Sequence, residues 1–183
     1  MNREEALKLL HEHTKNENLR KHAYAVESAM KHFANLFNED EEKWAITGLL
    51  HDFDYEEHPT PQEHPMTGVK ILESMNVPED IITAIKGHAD YLGVKRETLM
   101  AKTLFAVDEL TGFVIAVALV RPSKKLAEVS VSSVKKKMKD KAFARNVNRD
   151  EIIKGAEELN MSLDSLIENV IIALQKISDK LGL

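Results

Sequence analysis

Residues 44–52 read Trp-Ala-Ile-Thr-Gly-Leu-Leu-His-Asp, an apolar stretch that ends in a histidine and an aspartate. Asp40 precedes this stretch and has the side chain of a helix N-cap, so we predict a helix that begins there. Asp52 falls on the apolar face of that helix, one turn after Gly48. A carboxylate in such a position needs a partner, and the rest of the chain contains several candidates.

Apolar residues recur at helical spacing along most of the chain, which predicts an all-α fold. Only seven glycines and five prolines are present, too few for the turns of a β-sandwich. Capping patterns and prolines predict further helix starts at Thr60-Pro61-Gln62-Glu63, Pro78, about Glu97, Asn148 and Ser162. We therefore predict a single helical bundle over residues 1–183, with a core at about 16–120 and C-terminal helices at about 121–183 packed on it.

The composition excludes several classes of function. The chain has no cysteine, which excludes disulfides, zinc–thiolate sites and thiol nucleophiles. A net charge of −5 argues against nucleic-acid binding, although the lysines between residues 135 and 141 form a local basic stretch. The longest apolar run, residues 113–120, is too short to span a bilayer, and residues 1–5 do not resemble a signal peptide. We expect a cytoplasmic protein without a membrane partner.

Asp108 lies on the apolar stripe of the longest predicted helix, together with Leu104 and Ile115. An unpaired, ionised carboxylate there would strongly destabilise the fold, so Asp108 requires a metal, a cationic side chain or a proton. A structural hydrogen bond or a salt bridge to a lysine would meet this requirement as well as a metal does.

Four histidines and a second aspartate are placed on apolar faces in the same way: His22, His51, Asp52, His64 and His88. A single histidine in such a place is usually a satisfied core residue, and His13 passes the same test. Six such groups on five predicted helices can, however, converge in the core of a bundle. Imidazole and carboxylate groups without thiolate suit one or two divalent ions of Fe, Mn, Co, Ni or Zn.

The order of these residues resembles the pattern of the HD-domain metal-dependent phosphohydrolases. His22, the pair His51-Asp52 at the end of a helix, and Asp108 follow the H…HD…D signature of that family. The segment Gly48-Leu-Leu-His-Asp is similar to the family's usual approach to the pair. His64 and His88 resemble the two extra histidines of the branch that binds two metals, and the resemblance covers about residues 16–120.

The resemblance implies a ligand role for each of these residues. The first ion would be bound by His22, His51, Asp52 and Asp108. The second would be bound by His64 and His88, with Asp52 shared between the two ions. The HD-GYP branch continues after the pair with Ile-Gly-Lys, whereas this chain has Phe53-Asp54-Tyr55, which argues against cleavage of cyclic dinucleotides.

The implied activity is metal-assisted hydrolysis of a phosphate ester in a nucleotide or another small phosphorylated metabolite. Asp52 would be catalytic as the shared ligand, Asp54 would orient the water or accept its proton, and Lys86 would assist the leaving group. Four basic residues are candidates for contacts with substrate phosphate: Arg20, Lys21, Lys124 and Lys125. A solvated surface charge is the simpler interpretation of each basic residue.

Two other classes of protein share this fold or ligand set. A signalling or scaffold domain of HD type keeps the fold without catalysis, and the complete ligand set argues against it. A di-iron oxygenase of HD type is compatible with the ligand set. Metal analysis separates the non-catalytic class from an enzyme, and oxygen consumption on iron loading identifies an oxygenase.

Overall fold

The computed structural model describes residues 1–183 as helices joined by turns, which confirms the predicted all-α fold. Ten α-helices follow one another along the chain: α1 (Arg3–His13), α2 (Glu17–Phe37), α3 (Glu41–Leu50), α4 (Met66–Ser74), α5 (Glu79–His88), α6 (Leu99–Leu119), α7 (Val131–Met138), α8 (Arg149–Glu158), α9 (Leu163–Gln175) and α10 (Ser178–Leu181). Two short 3₁₀ turns lie at Asp90–Leu92 and Leu126–Glu128. None of these helices combines the length and the apolar character that a membrane span requires.

Side-chain caps begin several helices at the predicted positions. Asp40 accepts a hydrogen bond from the backbone N–H of Lys43 at 2.9 Å, at the start of α3. Asn148 and Ser162 accept in the same way at the starts of α8 and α9. Each cap satisfies an N–H group that has no partner within its own helix, so these short polar residues determine where the helices start.

The predicted start of α4 was wrong. The Thr60 hydroxyl donates to the carboxylate of Glu63 at 2.8 Å, and the Thr60 carbonyl accepts backbone N–H bonds within a turn. The helix itself begins at Met66, directly after Pro65. Residues 60–65 therefore form a turn in which His64 is held, whereas the sequence pattern predicted that His64 lies on a helix.

The two longest helices, α2 and α6, each have 21 residues and form the centre of the bundle. Helix α3 crosses α2 closely at Gly48, where an added Cβ would lie 2.8 Å from the carbonyl oxygen of Val26. The C-terminal helices α8 and α9 pack on this core, and Ser28 of α2 donates to the carbonyl of Ala173 in α9 at 2.8 Å. The close crossing of α2 and α3 brings the end of α3 beside the middle of α2.

Candidate metal centre

Six polar side chains that are far apart in the sequence converge at one end of this core. They come from α2, the end of α3 and the turn after it, the turn before α4, the last residue of α5, and the middle of α6: His22, His51, Asp52, His64, His88 and Asp108. Their ligand atoms form two groups that share Asp52. Within each group, the atoms lie within 4.8 Å of one another.

The first group joins α2, α3 and α6. The Nε2 atom of His22 lies 3.2 Å from Nε2 of His51 and 3.0 Å from Oδ1 of Asp108. His51 Nε2 is 3.4 Å from the same Asp108 oxygen and 3.4 Å from Oδ2 of Asp52. Two imidazoles and two carboxylates thus face a common point, which is a ligand set that divalent first-row metals accept.

The second group lies on the other side of Asp52. The Nε2 atoms of His64 and His88 are 3.3 Å apart, and each is 3.2 Å from Oδ1 of Asp52. The Asp52 carboxylate therefore presents one oxygen to each group. Asp52 could therefore contribute to ion binding in both groups.

Three of the four imidazoles have their other ring nitrogen occupied. Nδ1 of His51 lies 2.8 Å from the carbonyl oxygen of Gly48, and Nδ1 of His88 lies 2.5 Å from that of Ile85. Nδ1 of His64 lies 2.8 Å from Oδ1 of Asp54. Because carbonyl and carboxylate oxygens only accept, each Nδ1 must carry the proton. In the neutral ring, Nε2 is then left with a free lone pair.

The positions of these protons show whether the side chains present could bind a cation. With both Nδ1 atoms protonated, neutral His64 and His88 would direct two lone pairs at each other across 3.3 Å. Such a pair is unfavourable unless a proton or a metal ion lies between the nitrogens. Metal–nitrogen bonds of about 2.0–2.1 Å would fit between donors at this separation. The donor chemistry and the fixed tautomers are therefore suited to divalent metal ions.

The electrostatics of the metal-free protein are consistent with this fit. Burial disfavours the charged form of His51, but the charges of Asp52 and Asp108 outweigh burial and hold its pKa well above the ordinary value. Burial also opposes the charge of His64, whereas its bonds to Asp52 and Asp54 raise its pKa to about 9. Imidazole protons thus balance the carboxylates, and a divalent ion would have to displace these protons to bind.

A cavity of about 330 Å³ opens from these candidate ligands to the surface. Its wall beyond the ligands includes two tyrosines and three acidic residues: Tyr55, Tyr91, Asp90, Glu109 and Glu151. The wall contains no lysine or arginine. Burial, together with the charge of Asp108, raises the pKa of Glu109 to about 7. The cavity is of the size of small-molecule sites and has an acidic wall.

Asp54 lies behind the candidate ligand His64, and its side chain does not line the cavity. The residue is 1% exposed, and its carboxylate accepts hydrogen bonds from His64 Nδ1 and from the backbone N–H of Gly68, both at 2.8 Å. Gly68 is required by this contact, because a Cβ there would lie 2.8 Å from Cγ of Asp54. The geometry indicates that Asp54 positions His64.

The predicted basic residues are not brought to the cavity wall. Lys86 pairs with Glu73 at 3.2 Å, and Arg20 donates to the carbonyl of Thr14 at 2.7 Å. Lys21 donates to the carbonyl of Leu181 at 2.9 Å. The remaining two, Lys124 and Lys125, are exposed in the turn after α6. Lys21 borders a second cavity, which shares His22 with the metal centre.

The sequence patterns did not identify Tyr91, Glu109 or Glu151 as cavity residues. The Tyr91 hydroxyl donates to the carbonyl of His64 at 2.6 Å, so it closes the turn that carries this ligand. Glu109 could have been inferred from its position next to Asp108. In the sequence, Glu151 appears only as part of a helix-capping pattern. Its position beside the cavity depends on how α8 packs against α6, which the sequence does not reveal.

A comparison with protein families matches residues 19–112 to the HD domain. The match covers just over half of the chain and includes all six converging side chains. No curated protein and no solved structure matches the chain.

Proposed function

The chain belongs to the HD domain family, and on this premise we propose that it is a metal-dependent phosphohydrolase acting on a small phosphate ester. Members of this family are mostly metal-dependent phosphohydrolases, although non-catalytic members exist. The observation that supports an enzyme here is the pair of facing imidazoles on each side of Asp52, at 3.2 and 3.3 Å, beside an open cavity. A domain that serves only as a scaffold has no need of such an arrangement.

Two ions would be held by the two groups of ligands, with Asp52 shared. When bound, divalent ions supply Lewis acidity, which makes water a better nucleophile at neutral pH and offsets charge on phosphoryl oxygens. Asp52 holds the two halves of the centre at a fixed separation, because its Oδ1 faces His64 and His88 while its Oδ2 faces His51. A fixed separation would position the reacting groups without reorganisation during the reaction.

The remaining residues orient the ligands and shape the cavity. Asp54 keeps the proton of His64 on Nδ1, and main-chain carbonyls do the same for His51 and His88. Hydrolysis then forms a bond between the water oxygen and phosphorus and breaks the ester P–O bond. The leaving oxygen takes up the proton that the water loses.

The test combines metal analysis with a phosphatase screen. The purified protein is analysed for bound Fe, Mn, Co, Ni and Zn, and phosphate release is measured on a panel of phosphate esters with each metal. The same measurements are made on Asp52→Ala and on the control Asp164→Ala, whose exposed carboxylate pairs with Lys135. We expect Asp52→Ala to lose both metal and activity, and the control to keep both.

Two results would overturn the proposal. The first is a wild-type protein that binds no divalent metal and releases no phosphate under any condition. The second is oxygen consumption by the iron-loaded protein without phosphate release, which would assign the same centre to an oxygenase.

A further inference from the structure

A second cavity, also of about 330 Å³, adjoins the metal centre between α2 and α6. It shares His22 and Gly112 with the first cavity, so the two cavities lie next to each other on either side of these residues. Its other walls are mainly apolar: Ile115, Leu119, Leu181 and Leu183. A cavity that continues from the reacting centre is positioned to hold the part of the substrate that does not react.

The apolar wall follows one face of α6 away from the metal ligand Asp108. Gly112, Ile115 and Leu119 come four, seven and eleven residues after it, a spacing that keeps them on one side of the helix. At 1.5 Å per residue, Gly112 lies about 6 Å and Leu119 about 16 Å along the axis from Asp108. The face is therefore polar at the metal centre and apolar beyond it.

Gly112 leaves the passage between the two cavities open. A Cβ added there would meet no atom within 4 Å, so the position faces empty space and no neighbouring chain atom requires a glycine. Glycine inside a helix is less stable than alanine. A residue that costs stability and borders both cavities suggests that the space above it is used.

The charges around the first cavity favour a substrate with a single phosphate. The wall beyond the metal ligands carries Asp90, Glu109 and Glu151 and no lysine or arginine. Beyond the metal ions, a chain of further phosphates would meet these carboxylates with no lysine or arginine to balance its charge. The Lys21 ammonium on the second cavity is bonded to the carbonyl of Leu181. An uncharged organic group fits both walls better than a polyphosphate.

We propose that the second cavity binds an apolar organic group of the substrate, so that this protein acts on monophosphate esters of apolar alcohols. The inference rests on the proposed function, because it assumes that the phosphoryl group lies at the metal centre. The apolar group would then pass over Gly112 and contact Ile115 and Leu119.

The experiment measures binding of non-hydrolysable phosphonates to the manganese-loaded protein by calorimetry. Methyl-, butyl- and octylphosphonate present the same head group with increasing apolar length. Burial of a methylene group is worth about 0.8 kcal/mol, or about a fourfold gain in affinity when burial is complete. We expect octylphosphonate to bind wild type at least tenfold more tightly than butylphosphonate.

Two variants test where the alkyl chain of the phosphonate lies. Gly112→Leu fills the passage, and Leu119→Gln makes the far wall polar. In both, we expect the ratio of octyl to methyl affinity to fall at least fivefold, with thermal unfolding and circular dichroism unchanged or improved for Gly112→Leu. Leu99→Gln is the matched control, because Leu99 is a similarly exposed leucine at the other end of α6, and it should keep the wild-type ratio.

The outcomes separate this inference from the proposed function. Equal affinity for butyl- and octylphosphonate, or an unchanged ratio in folded Gly112→Leu, would overturn the apolar cavity even if phosphate esters are hydrolysed. A chain-length dependence that Gly112→Leu removes would support the apolar cavity even if no ester is turned over. In that case the hydrolase assignment and the ester substrates fail, and the cavity for an apolar group stands.

Discussion

Replacement of Asp54 by asparagine tests whether the second group of ligands depends on a buried carboxylate. Asp54 accepts one hydrogen bond on each oxygen, from His64 Nδ1 and from the N–H of Gly68. An amide has one oxygen and one NH₂ group, so it satisfies only one of these donors. If the amide oxygen stays with Gly68, its NH₂ group faces the proton on His64.

The expected result follows from the tautomer of His64. To avoid two facing donors, the ring would move its proton to Nε2, the atom that faces Asp52 and His88. That change removes the lone pair from the metal site. Loss of such an outer hydrogen bond typically lowers metal affinity by about 10- to 100-fold, which corresponds to about 1.4–2.7 kcal/mol.

The assay is a metal titration that resolves two binding events in wild type and Asp54→Asn. We expect the event assigned to His64 and His88 to weaken by at least tenfold in the variant, while the event assigned to His22, His51 and Asp108 changes less than threefold. Asp164→Asn is the control, because it makes the same chemical change at an exposed position. Unchanged affinity for both ions in folded Asp54→Asn would refute the positioning role of Asp54.

Three further predictions concern stability. Gly48→Ala should destabilise the fold by about 1–3 kcal/mol in urea unfolding, because its Cβ would lie 2.8 Å from a carbonyl oxygen of α2, whereas Gly112→Ala should be neutral or stabilising. Arg96→Ala should lower the free energy of unfolding by about 2 kcal/mol, because this 6% exposed side chain pairs with Asp90 and Glu158. A free energy of unfolding equal to that of wild type would contradict this role. In metal-free protein, the pKa of about 9 for His64 lies above the unfolded value, so its stabilisation is complete below about pH 6.5 and is lost as pH rises through 9. The free energy of unfolding in EDTA should therefore fall by about 3 kcal/mol between pH 6.5 and pH 9, with a matching fall in the melting temperature. A flat pH profile would contradict the assigned protonation.

Local patterns predicted those parts of the fold that depend on neighbouring residues. Asp40, Asn148 and Ser162 cap helices where their side chains predict it, since capping involves only atoms within one turn. The prediction at Thr60 failed because the same residues also form a turn, and the choice depends on how His64 is held by Asp54 and Tyr91.

Sequence patterns also predicted part of the candidate site. A histidine or aspartate on an apolar face signals a buried polar group, but His13 gives the same signal, and His64 lies in a turn rather than on the predicted helix. The resemblance to the HD pattern selected the six residues that the structure brings together. The role of Asp54 was not predictable, because its contact with Gly68 and His64 arises only when the turn folds back. Basic residues such as Lys86 gave no reliable signal, since a charge on a helix surface finds a partner in many places.

The two halves of the centre differ in how they can change during evolution. The rings of His51 and His88 are locked by main-chain oxygens three residues earlier, which every amino acid supplies. The ring of His64 is locked by a side chain, which a single nucleotide change can replace. If each group holds an ion, a substitution at residue 54 would weaken binding at His64 and His88 and leave the group around His22 and His51 unchanged. Such a substitution would be a short mutational route from a two-ion protein to a one-ion protein.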